Sequence, residues 1–358
     1  MNQGFWKKLK KPIMALAPMA DVTDAAFRRL IAEHGKPDVM FTEFTSADGL
    51  FLGGRDALMI NIAFTKKEHP IVAQFFTSKP EFMQKAAALA LELGFDGVDI
   101  NMGCPDKAVE KQGAGAALIK TPALAREIIR AAKRGVQDKI PVSLKTRIGY
   151  KMDELDTWLP ELLAEEPAAI TLHARTRKEM SDVPARWEMV AKAVLIRDRL
   201  KSKTLILGNG DIASLSDAMK KVKESGADGA MLGRAIFGNP WLFANLAHAK
   251  RERQIEHPPV SQEEKIKMMI EHAKLYEKLF KGVKNFAIMK KHFKAYVSGW
   301  AGAKELRARL MNTKDAKEVS KIGLFYLKTG KYLTKPVKRG TVGVENILTN
   351  SYNSRRMQ

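Results

Sequence analysis

Residues 71–105 read IVAQFFTSKPEFMQKAAALALELGFDGVDINMGCP. A β-branched and aromatic run gives way to a turn ending at Pro80, then to an alanine-rich amphipathic stretch closed by Gly94, then to a second apolar run that breaks at Gly103 and Pro105. Proline at the start and glycine just past the end bound a helix, and the flanking runs are short enough to be buried strands. The stretch is one strand–helix–strand unit. Outward from it the same unit recurs: strand-like runs start at Ile13, Asp38, Ile71, Gly97, Pro141, Ala169, Thr204 and Gly229, with helix-like segments such as TPALAREIIRAAKRG between them. Eight strands alternating with helices over about 230 residues predict an α/β fold, a closed parallel (β/α)8 TIM barrel. A doubly wound open sheet is the competing architecture, but it needs fewer strands.

Composition bounds the rest. The chain has 358 residues, 45% of them apolar, enough for a barrel of about 250 residues and a smaller domain. Its single cysteine, Cys104, permits no intrachain disulfide, which suits a reducing, cytoplasmic compartment. The N-terminal apolar run is broken by Pro18, which argues against a signal peptide, and no apolar stretch approaches the roughly 18 residues that span a bilayer. The division expected is a barrel over 1–250, a helical domain over 260–335 and a basic tail over 336–358.

Charge is the strongest global signal. Of 61 basic and 40 acidic residues, 25 and 10 lie from Leu246 onward, so +15 of the net +21 is in the last third. Charge segregated in this way favours a polyanionic partner through counterion release. Ser261 and Glu264 form an S-x-x-E capping box, and Ile266, Met269, Ile270, Ala273 and Tyr276 follow at helical spacing. In KNFAIMKKHFKAYV the apolar stripe is Phe286, Met289, Phe293 and Tyr296 or Val297, which leaves Lys290, Lys291, His292 and Lys294 largely outside it as candidate phosphate contacts.

Working residues of such barrels stand at the C-terminal ends of the strands. Those ends carry Pro18 and Met19, Glu43, Gln74, Asn101, Lys145 with Arg147, His173, Asn209 with Asp211, and Arg234. A lysine at a buried strand end calls for an anion. LGNGDI and LGRAIFGNP put glycines after the last two strands, where backbone amides can approach a phosphate, although a tight turn accounts for each cluster taken singly. A phosphate there, with Lys145, His173, Gln74 and Asn101 around a flat cavity, suits flavin mononucleotide. Cys104 sits between two turn residues and not on a packed face.

APMADVTDAAFRRL, VDINMGCP with GAGAALIKTPALAREII behind it, SLKTRIG, LHARTR, GNGDI and GRAIFGNPWLF together resemble the tRNA-dihydrouridine synthase family, from about residue 12 to 245, with a weaker echo over 289–310. The resemblance implies an FMN-dependent barrel that reduces the C5–C6 double bond of a uridine in tRNA, with NADPH as electron source and a C-terminal helical domain that grips the RNA. It implies Cys104 as the catalytic acid. It also implies a flavin held by Pro18, Met19, Gln74, Lys145, His173, Asn209, Gly210, Asp211, Gly233 and Arg234. Asn101 and Arg147 then face the target base, while Arg175, Arg177, Lys290, Lys291, Lys294 and Arg307 are RNA contacts. A monomer with no metal is expected. Another flavin barrel, of the dihydroorotate dehydrogenase or ene-reductase kind, shares the phosphate loops but has no use for an appended basic domain.

Overall fold

The computed structural model describes residues 2–252 and 260–330; the tail expected over 336–358 lies outside the described residues. The strands are β1 (Ile13–Leu16), β2 (Met40–Phe41), β3 (Thr45–Ser46), β4 (Ile71–Phe76), β5 (Gly97–Met102), β6 (Val142–Arg147), β7 (Ala169–His173), β8 (Leu205–Asn209) and β9 (Gly229–Leu232). All neighbours pair in parallel, and every strand residue is buried or nearly so, as staves covered on both faces require. β1 pairs with β9 on one side, and its Ala15 bridges Val39, just ahead of β2, on the other. The sheet therefore closes on itself.

The run expected as one second strand is split. Phe41 pairs with Val72 and Thr45 with Phe75, so four steps on one strand oppose three on β4. The extra residue is a bulge, a device that re-aims side chains at barrel rims. Here the segment Thr42–Glu43–Phe44 occupies it.

Helices α1 (Ala25–His34), α2 (Ala47–Phe51), α3 (Arg55–Met59), α4 (Pro80–Glu92), α5 (Lys107–Lys111), α6 (Pro122–Val136), α7 (Leu155–Leu163), α8 (Trp187–Arg199) and α9 (Leu215–Ser225) accompany the strands, and α10 (Leu246–Glu252) follows them. Their ends obey local chemistry. Asp24 caps α1 by accepting the Phe27 amide at 3.0 Å, Ser214 caps α9, and Gly226 ends α9 in the left-handed region.

The barrel interior is layered. Its lower part is apolar, built from Ile13, Ala15, Phe41, Val72, Leu207 and Met231 and closed by Trp6 from the 3₁₀ turn Gly4–Lys8. Its upper part is polar, with Gln74, Asp99, Ser143 and Thr171 all buried. This change of character places the site at the C-terminal mouth.

The helical part comprises α11 (Gln262–Phe280), α12 (Met289–Tyr296), α13 (Ala303–Leu310) and α14 (Ala316–Thr329). Ser261 and Glu264 form the expected capping box, and the expected apolar stripe of α11 is buried throughout. His292 departs from expectation: it is fully buried, because Phe27 of α1 packs against both it and His272, with ring centroids 4.9 and 4.8 Å apart. The helical part thus shares its core with the barrel.

Candidate active site

Strand register sets the polar layer side by side. Gln74 lies next to Asp99, Asn101 next to Lys145, Arg147 next to His173 and His173 next to Asn209. Asp99 anchors the layer, accepting from Gln74 Nε2 at 2.7 Å and from Ser143 Oγ at 2.6 Å. Burial raises its carboxyl to about 6, against the two hydrogen bonds and the Lys145 charge. Lys145 makes no hydrogen bond among the described residues, and burial together with the nearby Arg147 charge lowers its ammonium to about 8. An unpaired cation in a desolvated layer is a site for an anion. Burial and the charges of Arg147, Lys145, Arg175 and Arg234 push His173 well below the ordinary histidine value, so its ring is neutral and can donate from one nitrogen.

Cys104 follows β5 on a loop gripped from several sides. Asn101 Oδ1 accepts the amides of Gly103 at 3.1 Å and Cys104 at 2.9 Å, while Asn101 Nδ2 donates to Gln74 Oε1 at 3.2 Å. Arg147 Nε donates to the Gly103 carbonyl at 2.8 Å, and the Ala116 amide donates to the Cys104 carbonyl at 3.0 Å. Gly115, at φ +62°, lets that turn come so close: a Cβ there would stand 2.8 Å from the Cys104 carbonyl oxygen. The thiol is half-buried against Phe44, Phe76, Val109 and Ala114. Burial raises its pKa above the ordinary thiol value, outweighing the Asp106 amide and the Arg147 and Lys145 charges that favour the thiolate. The thiol is therefore protonated at neutral pH. Asn101 and Arg147 shape this loop, Arg147 being buried and further bonded to the Thr176 carbonyl at 2.9 Å.

Across the mouth, Asn209 Nδ2 donates to the Met231 carbonyl at 2.8 Å. Gly210 has φ +122°, and a Cβ there would press within 2.8 Å of Ala185 Cβ and 3.1 Å of His173 Cδ2. Pro18 is buried and Met19 half-buried, and a Cβ at Gly233 would meet Met19 Sδ at 3.5 Å. Asp211 is paired with both Arg175 and Arg234. Although burial opposes it, Arg175, the Ala185 amide and Arg234 hold its carboxyl below the usual range. Arg175 is itself buried beneath this pair, donating to the Val183 carbonyl at 2.5 Å.

Arg177 stands at the rim. It grips Glu110 of α5 through Nε at 2.8 and 2.9 Å and touches the Pro105 carbonyl at 3.4 Å, so it braces the cysteine loop. In the helical part, Lys290 is half-buried, Lys291 and Lys294 are exposed, and Arg307 donates to the Val297 carbonyl at 2.7 Å. The mouth thus collects the strand-end set and Cys104, and of the helical cations Lys291 comes within reach of the charges of Asp21, Asp24 and Glu43 beside it. A cleft of about 630 Å³ on the flank, between α1 and α11, is lined by Arg29, Lys66, Lys67, Lys274 and Lys278 with Glu33 and Glu271. One ligand atom each of Glu33, His34 and Glu271 falls within 4.8 Å of the others near there, although Glu33 is already paired with Lys67.

The dihydrouridine synthase (Dus) family model matches residues 15–328, the barrel and the helical part together. The chain belongs to the dihydrouridine synthase family. Relatives extend over nearly their whole length: "Probable tRNA-dihydrouridine synthase 2" of Bacillus subtilis (strain 168) is 41% identical over 322 residues, 89% of this chain and 95% of that one. "Probable tRNA-dihydrouridine synthase" of Staphylococcus aureus (strain Mu50 / ATCC 700699) is 39% identical over 321 residues, covering 89% and 94%. Among solved structures, histamine dehydrogenase from Rhizobium sp. 4-9 superposes with a TM-score of 0.47 at 16% identity, covering 67% of this chain and 46% of that one. No helix among the described residues is long and apolar enough to cross a membrane.

Two residues of this candidate site, Asp99 and Glu110, escape the sequence reading, and so do the partners of a third, Glu43. Asp99 was legible as an acid in the middle of a strand buried on both faces, a costly placement that signals partners. Glu110, the partner of Arg177, carries no such signal, because α5 is a single short helix. Glu43 is visible as a strand-end acid, but its partners come from Asp21 and Lys284.

Proposed function

We propose that this protein reduces a uridine in tRNA to dihydrouridine, with FMN bound across the barrel mouth and NADPH as electron source. The residues present fit that cofactor. Lys145 offers an unpaired cation beside Asn101 and Gln74, His173 is neutral and close to Gly210, and Asn209, Gly210, Gly233 and Arg234 offer amides and a cation for a phosphate. When bound, FMN supplies the hydride that saturates C6 of the uracil ring.

The chain's own residues do the rest. Cys104 donates the proton to C5, a role for which a thiol kept protonated is suited, and recovers a proton from solvent afterwards. Asn101 and Arg147 hold the backbone that carries it, and the Arg147 and Lys145 charges offset the thiolate formed. The base leaves its stack to enter the mouth, at a cost of a few kcal/mol that RNA contacts elsewhere must offset. The basic helical part supplies these contacts.

The observation that carries the reading is the lone protonated thiol, fixed at the mouth beside a neighbouring strand, β6, that presents an unpaired lysine. Purified protein is expected to be yellow, and with NADPH to form dihydrouridine in unmodified tRNA. A colourless preparation that cannot be reconstituted with FMN overturns it.

A further inference from the structure

The turn that carries Pro18 and Met19 is held from both sides. Met19 donates its amide to Thr23 Oγ1 at 2.9 Å, and its carbonyl accepts the Val22 and Thr23 amides at 3.1 and 3.0 Å. At its apex Asp21 has φ +54°, a conformation that residues other than glycine adopt only when their surroundings enforce it. The enforcing group is Glu43: its Oε1 accepts the Asp21 amide at 2.6 Å. Glu43 sits in the bulge between β2 and β3, 3% exposed, and the neighbouring Thr42 Oγ1 accepts the amide of Gln74 at 3.1 Å. Glu43 therefore lies between two stretches of the mouth.

Its other partner comes from the helical part. Lys284, in the segment after α11, places Nζ 3.0 Å from Glu43 Oε2 and 3.6 Å from Asp21 Oδ1, and it is only 13% exposed. A charge-assisted bond in so dry a place is strong and directional. One carboxylate thus links the turn beside Met19 to the domain with the basic helices.

We propose that Glu43 is a positioning residue: it fixes the Met19–Thr23 turn in its cofactor-facing form, and through Lys284 it makes that turn sensitive to RNA seated on the helical part. That the turn faces the cofactor, and the whole of the second half, rest on the FMN and tRNA reading above; the hold of Glu43 on the turn does not. Loss of the Asp21 amide's acceptor loosens the turn, whereas loss of the Lys284 bond alone leaves the turn formed but uncoupled.

Hydrogen–deuterium exchange on the full chain without FMN tests the first half. Glu43→Ala is expected to speed exchange of the peptide covering residues 19–24 about tenfold, as the loss of one strong buried bond implies, and Glu43→Gln, which keeps an acceptor oxygen, to stay within about twofold. Equal protection in Glu43→Ala and the wild type overturns the positioning role. Should Glu43→Ala not fold, loss of protection in Glu43→Gln beyond the alanine expectation overturns it equally. For the second half, flavin absorbance and fluorescence are recorded on FMN-loaded protein with and without tRNA. The wild type is expected to show a tRNA-induced change that Lys284→Met abolishes. A wild-type response retained in Lys284→Met overturns the coupling alone, whereas a wild-type protein that takes up no FMN overturns the flavin reading and leaves the exchange result standing.

Discussion

The side-chain oxygen of Asn101 accepts the backbone amide of Cys104 at 2.9 Å, so a residue in the last step of β5 also fixes the backbone that carries the thiol. The same side chain reaches Gln74 through its amide nitrogen. Asn101→Asp keeps the acceptor and loses that donor, while Asn101→Ala loses both. Dihydrouridine formation is expected to fall about tenfold in the former and about a hundredfold in the latter, since each buried hydrogen bond removed costs about 1–3 kcal/mol. Cys104→Ala is expected to retain FMN and lose product. FMN content by absorbance and dihydrouridine by mass spectrometry separate the two effects, and full activity in Cys104→Ala removes the proposed acid.

Lys145 gives the cofactor site a pH dependence of definite sign. Its ammonium loses its proton through about 8 in the protein without cofactor. A bound anion favours the charged form, so FMN affinity should be constant below that value and weaken above it, by up to about tenfold per pH unit. Titrating apo-protein with FMN between pH 6.5 and 9.5, values chosen to bracket about one unit and more on each side, checks this. Lys145→Met should bind weakly and without the slope; an identical slope in the variant assigns it elsewhere.

Asp99 acts on stability with the opposite charge logic. Its folded value of about 6 lies above its unfolded value of 3.8, so across that window the native state holds a proton the unfolded chain has released. Its contribution to stability is therefore greatest below the window and falls as pH rises through it, by about 3 kcal/mol in all. Asp99→Asn should flatten that part of the profile. Urea midpoints of both proteins at the two ends of the window check it, and parallel profiles reject the assignment.

The barrel was legible because its signal is periodic: apolar runs at Ile71 and Gly97, with proline-opened and glycine-closed helices between them, repeat what local chemistry demands of every unit. The break in the second strand was not, because a bulge is decided by the partner strand's register and not by the residues of Asp38–Phe44 themselves. The strand-end set was legible by position in the repeat. What each member touches was not: Arg175 looks like a free cation in LHARTR until Asp211, 36 residues on, is folded against it. His292 likewise reads as one polar residue among lysines, and only the approach of Phe27 from the barrel explains its burial.

The helical cations divide by what already engages them, and this predicts different responses to salt. Lys294 is exposed and Lys290 half-buried, and neither forms an ion pair among the described residues, so each is available to a phosphate. Arg307 instead donates to the Val297 carbonyl at 2.7 Å, at the end of α12, where its charge also complements the helix dipole. Affinity for tRNA should fall steeply with salt, and Lys290→Ala or Lys294→Ala should each lower the slope of log affinity against log salt by about one, weakening binding uniformly across tRNA sequences. Arg307→Ala should leave that slope nearly unchanged and lower the urea midpoint, consistent with the loss of about 1.5–3 kcal/mol for a charged hydrogen bond, less what solvent screens at this half-buried position. Filter binding over a salt series, with urea unfolding of the same variants, checks both halves. A slope that drops for Arg307→Ala and not for Lys294→Ala reverses the assignment and makes the Val297 contact one that RNA displaces.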